Sequence, residues 1–186
     1  MRLTRRKVLT IAAAGAGALA LQRTGFAETR ERHGISAFGD LKYPADFPHF
    51  DYVNPDAPKG GAFSMIGASR QFNQNFLTFN SLNSYILRGD AALGMERTFT
   101  SLMTGAADEP DSMYGLAAQS VQISDDGLTY RFTLRPGLTF HDGTPLDAHD
   151  AVFSLTVLKE KGHPIITTLL RDFDGAEAID ARTLVV

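Results

Sequence analysis

Cysteine is absent from the 186-residue chain. That excludes disulfide staples, thiolate metal sites, a cysteine nucleophile and a lipid-anchored N-terminus, which needs a cysteine at the cleavage point. A membrane-spanning run is missing too. The apolar stretch at residues 8–21 falls short of the roughly 20 residues that a stable transmembrane helix requires, and Gly15 and Gly17 weaken it further. There is no Gly-rich phosphate loop, no nucleophile elbow and no zinc-protease helix, so no motif points to catalysis or to a cofactor. Neither an internal repeat nor a low-complexity segment is present.

Basic charge is concentrated at the N-terminus. Arg2, Arg5, Arg6, Lys7 and Arg23 are five of the 18 bases, and residues 28–186 keep 13 bases against 21 acids, a charge of −8. That sign argues against nucleic acid and anionic lipid as partners, because both demand a basic footprint. Small molecules and peptides fit better.

The N-terminus has the order of a twin-arginine export signal. Arg5-Arg6 stands directly before the apolar run, and Gly25 and Ala27 are small residues at the −3 and −1 positions of an exit. Cleavage after Ala27 is expected, with residues 1–27 as signal peptide and 28–186 as passenger, recognised by the twin-arginine machinery. The plainer alternative is a basic, apolar N-terminal helix.

The passenger reads as mixed α/β. Residues 28–61 are rich in Pro, Gly, Asp and aromatics without periodicity, as in an ordered loop pinned by rings. Residues 62–69 (AFSMIGAS) have the length of a buried strand. Residues 70–85 are polar and Asn-rich, and residues 90–104 carry apolar residues at roughly helical spacing with Gly105 as a stop. A hairpin is expected from residues 121–123 and 128–134 around Ser124-Asp125-Asp126-Gly127. Asp147 is placed to cap a helix over residues 148–161, with Val152, Phe153, Leu155, Val157 and Leu158 on its apolar side. Residues 173–179 and 184–186 read as strands, the last cut short, which suggests a fragment of a longer protein.

Candidate ligand contacts are Asn80, Asn83, Asp108, Glu109 and Tyr114. Asn80 and Asn83 offer both donors and acceptors to a peptide backbone, and Asn is equally a turn residue. Asp108 and Glu109, with Asp111, suit a peptide amine, a carboxylate pair for acid–base work, or a merely solvated loop. Tyr114 before Gly115 can stack on a ligand or lie buried at a turn. The five histidines, His33, His49, His141, His149 and His163, lack a recognised metal-ligand spacing.

The stretch LTYRFTLRPGLTFHDGTPLDAHDAVFSL at residues 128–155 resembles a signature of the family 5 extracytoplasmic solute-binding proteins, which serve peptide and nickel ABC importers. HGISAFGDLKYPADFPHFDYVNPDAPKGG at residues 33–61 and DEPDSMYGLA at residues 108–117 resemble its YejA-type oligopeptide-binding branch. The resemblance implies a type II periplasmic binding fold of two α/β lobes, a hinge and an extra N-terminal subdomain, of which this chain would be the first part. It implies a soluble periplasmic monomer without cofactor, carrying oligopeptides to an ABC permease and its ATPase subunits. HDGTP reads as a turn leading to the Asp147 cap, a structural marker. Some relatives place an acid shortly before a Leu-Asp-Pro segment to hold the peptide amine; the matching residues 78–84 have no acid, and Ser84 stands at the Pro. Rival readings are an exported enzyme, or the same fold for a metal chelate, a sugar or a peptide-like antibiotic.

Overall fold

A computed structural model describes residues 30–62, 80–85, 91–92 and 94–186. The export signal, all but the first residue of the expected 62–69 strand, and most of the Asn-rich stretch lie outside the described residues.

Two antiparallel sheets organise what is described. The smaller has the order β1-β3-β2, from β1 (Gly34–Ser36), β2 (Met103–Ala106) and β3 (Glu109–Gly115). The larger has the order β4-β5-β7-β6, from β4 (Ala118–Ile123), β5 (Tyr130–Leu134), β6 (Glu177–Ala178) and β7 (Thr183–Val185). Helix α1 (Ala148–Lys161) packs on the larger sheet and is followed by the short α2 (Pro164–Leu169).

The hairpin β4–β5 forms as the alternation predicts, pairing Val121 with Phe132 and Ile123 with Tyr130. Its turn is held by Asp126, whose carboxylate accepts from the Ser124 hydroxyl at 2.5 Å and from the Leu128 N–H at 3.0 Å. Residues directly opposite share a face, so Phe132 and Leu184 line up beneath α1. The core there is Leu134, Ala148 and Leu184, with Val152 and Leu155 packed against it.

Helix α1 starts where its cap requires. Asp147 accepts from the N–H groups of His149 and Asp150 at 2.8 and 3.3 Å, and the Asp150 carboxylate accepts from the Asp147 N–H at 2.9 Å. This reciprocal box satisfies donors that the first turn otherwise leaves open. Phe153, expected on the apolar side, is 68% exposed and points away from the sheet. Spacing could not tell it from its neighbours, because α1 is apolar around much of its circumference.

Two other expectations are corrected. Residues 90–104 do not form one helix: what is described there is a 3-10 turn (Met95–Thr98) and then β2, with Gly105 inside the strand instead of ending a helix. The residues before β3 are drawn into extended backbone because β3 offers a ladder on that side. Of residues 173–179, only Glu177–Ala178 pair as strand. Residues 173–176 are irregular and follow the turn that ends the short α2, whose own start is set by His163 Nδ1 accepting from the Ile165 N–H at 3.2 Å and by Pro164 in its first turn.

A clamped aromatic loop as the candidate functional site

The acidic stretch begins with Asp108 in the turn after β2 and continues into strand β3, the middle of the smaller sheet. Pro110 lacks a backbone donor, and the ladder with β2 shifts register between Gly105 and Ala106 opposite it, which is how a strand accommodates proline. From Ser112 onward the strand alternates, with Ser112 and Tyr114 buried and Met113 exposed.

Tyr114 is the pin of the loop at residues 41–51. Its ring is 1% exposed and meets Tyr43, Phe47 and Phe50 at centroid distances of 5.5, 5.3 and 5.7 Å, all edge-on. Such edge-to-face pairs add to plain burial. Gly34 makes room for this ring: a Cβ there would stand 2.8 Å from the Met113 carbonyl and 3.1 Å from Tyr114 Cδ1. The Tyr114 hydroxyl accepts from the Tyr43 N–H at 3.1 Å and donates to the Glu109 carboxylate.

A second layer of charge closes over the rings. Lys42 Nζ lies 2.5 Å from Asp108 Oδ2 and 2.9 Å from Asp51 Oδ2. Asp108, at 28% side-chain exposure against 70% for Asp51, is the better shielded partner. The Tyr43 hydroxyl donates to Asp108 at 2.6 Å and accepts from the Asp51 N–H at 3.0 Å. Glu109 also accepts from the Lys42 N–H at 2.9 Å, and Asp111 accepts from the Ser36 hydroxyl at 2.8 Å.

These bonds set the protonation states. Hydrogen bonds to Asp108 and then Asp51 hold the Lys42 ammonium above its ordinary pKa. Lys42 and then Tyr43 hold the Asp108 carboxyl below 3.8. Burial pushes the Glu109 carboxyl up, but donation from Tyr114 and the Lys42 N–H outweighs it and the net direction is down. Burial raises both tyrosines, helped at Tyr43 by Asp108 and at Tyr114 by Glu109. Every shift moves its group away from neutrality, whereas a proton-transfer group is tuned toward the working pH. The arrangement is an electrostatic clamp.

The structure therefore brings Asp108, Glu109 and Tyr114 together and occupies each with protein partners. Lys42 and Tyr43, which complete the cluster, were not singled out from sequence; the Lys-Tyr pair ahead of an aromatic run was the available signal. Asn83 lies in a separate turn, where its side-chain Oδ1 accepts from the Tyr85 N–H at 2.9 Å and its backbone N–H donates to the Ser81 hydroxyl at 3.0 Å. Asn80 is exposed beside the bridge from Ser81 to Ala91. Among the described residues no group of three or more His, Asp or Glu side chains could hold a metal ion, and no helix is long and apolar enough to cross a membrane.

Residues 112–186 match the family described as "Bacterial extracellular solute-binding proteins, family 5 Middle". The chain belongs to family 5 of the bacterial extracellular solute-binding proteins. Among its relatives is the peptidoglycan-binding protein YepA of Agrobacterium fabrum, 37% identical over 169 residues, 85% of this chain and 26% of that protein. The probable peptide-binding protein YejA of the same bacterium is 34% identical over 169 residues, 90% of this chain and 26% of its own. YejA of Escherichia coli is 35% identical over 135 residues, 73% of this chain and 21% of its own. Among solved structures, the ABC transporter substrate-binding protein CtaP of Listeria monocytogenes aligns over 39% of this chain and 16% of its own, at 36% identity and a TM-score of 0.34. The chain spans about a quarter of the length of the curated relatives it matches.

Proposed function

We propose that this chain is the first part of the solute-binding component of a bacterial ABC importer, which captures oligopeptides outside the cytoplasm and presents them to the permease and its ATPase subunits. The observation that carries the reading is identity of 34 to 37% along 85 to 90% of the chain with relatives named for peptide and peptidoglycan binding. The family 5 match over residues 112–186 supports it independently. On this reading the protein is exported through the twin-arginine route, works as a soluble periplasmic monomer, and closes two lobes over its ligand without performing chemistry on it.

Asn80 and Asn83 are assigned to the peptide backbone in this proposal, as amides that both donate and accept. Asp108 and Glu109 are assigned to the peptide amine, with Lys42 as its internal stand-in: the same carboxylate that holds a lysine ammonium can hold an amino terminus. Tyr114 holds Glu109 at the start of β3, next to Asp108 in the turn before it.

The name of the YepA relative favours a second ligand reading, peptides still joined to cell-wall sugar. Calorimetry on the full-length protein decides, with a mixed pool of short peptides in one arm and muropeptides in the other. Binding of the pool supports the oligopeptide reading, and binding of muropeptides alone moves the ligand to the wall. Silence in both arms removes the peptide reading, and turnover of either ligand would make the protein an enzyme.

A further inference from the structure

Beside the start of the aromatic loop lies an open groove of about 600 Å³, lined by Arg30, Glu31, Arg32, His33, Leu41, Ala45, Gln119 and Ser120. Its walls are fixed. Arg32 is tied to the outer edge of β4 by two backbone bonds, its N–H to the Val121 carbonyl at 2.9 Å and its carbonyl from the Val121 N–H at 2.8 Å. His33 Nε2 lies 2.9 Å from the Tyr43 carbonyl, which only accepts, so this nitrogen carries the proton. Gln119 uses its amide oxygen to accept from Arg182 Nη2 at 3.3 Å, which leaves its two N–H donors for the groove.

The groove thus offers the donors of Arg30, Arg32 and Gln119 beside the apolar side chains of Leu41 and Ala45. Among the described residues, neither Arg30 nor Arg32 forms an ion pair, and Glu31 forms none either. Two unpaired guanidinium groups against one carboxylate give a positive groove, in a chain whose residues 28–186 carry eight more acids than bases. A guanidinium is a planar fork of donors that matches a carboxylate or phosphate with two parallel bonds.

We infer that this groove is an oxyanion-recognition site, which takes a small ligand bearing a carboxylate or phosphate beside an apolar group. It is independent of the importer reading, because its residues are not those assigned to peptide capture.

The test uses the full-length protein and two probes, N-acetyl-Leu-Asp with its uncharged diamide as control, and inorganic phosphate. Capping the amine keeps the first probe from relying on an amine site. The expected result is binding of at least one anion that weakens with salt and is absent for the diamide. Replacing both arginines (Arg30→Ala with Arg32→Ala) should cost about a hundredfold or more, since a bond to a charged group is worth about 1.5–3 kcal/mol each. Gln119→Glu retains a partner for Arg182, places a like charge in the groove and should abolish binding in a protein that still folds. Loss with N-acetyl-Leu-Asp identifies a carboxylate ligand, and loss with phosphate alone identifies a phosphate. Absence of binding by either anion, or binding that survives both the double variant and Gln119→Glu, would overturn the inference.

Discussion

Replacing Tyr114 by Phe deletes one oxygen and leaves the ring in place among Tyr43, Phe47 and Phe50. The consequence falls on Tyr43, which is 4% exposed and whose N–H donates to the Tyr114 hydroxyl that the substitution removes. A buried donor left unpaired costs about 1–3 kcal/mol. Glu109 meanwhile keeps the Lys42 N–H and stays anchored. Taking about 2 kcal/mol, the opening equilibrium of the loop should rise by about 30-fold. Native-state hydrogen exchange on the full-length protein reads this directly, as lost protection at residues 41–51 with residues 148–161 unchanged. Protection within about twofold of the parent at residues 41–51 would refute the argument, since a factor that small is worth only about 0.4 kcal/mol. An equal loss in α1 would refute it too, by showing that the loop does not open as a unit.

Other outcomes follow from the same geometry. Leu184, fully buried between β5 and α1, should cost about 2–5 kcal/mol when cut to Ala; an unchanged denaturation midpoint would contradict its place in the core. Asp108 and Glu109 are held below their ordinary values of 3.8 and 4.5, so their contribution is complete above those values and lost as the pH falls through the lowered ones. Protection at residues 41–51 should fall in that acid range, and Asp108→Asn should flatten the dependence; a loss beginning near neutrality would point to another group. Replacing Arg5 and Arg6 by Lys should leave the protein in the cytoplasm, as fractionation would show, and undiminished export would reject the twin-arginine reading.

Local signals were legible wherever the chain settles its own geometry. The hairpin at Asp126-Gly127 and the Asp147 cap depend on residues within a turn of one another, and both formed where their patterns placed them. β2 and β3 were obscure for the opposite reason. Met103 and Gly105 become strand only through pairing with residues up to a dozen positions on, and Pro110 with its flanking acids imitates a loop. The clamp was half visible. Its acids stood out, but Lys42 lies 66 positions before Asp108, and no local pattern reports a contact at that distance.

The two sheets meet at the corner between Gly115 and Ala118, where the fork of Arg135 donates to the carbonyls of Leu116 and Gly115 at 2.8 and 3.2 Å. A Cβ on Gly115 would lie 2.4 Å from the Ala118 carbonyl, so the chain doubles back with nothing to spare. In mechanical terms the corner is a weld: its carbonyls are held and its backbone has no slack to absorb the torsional change that a hinge demands. The corner therefore resists torsion, and an opening motion of the aromatic loop finds its pivot outside residues 115–118.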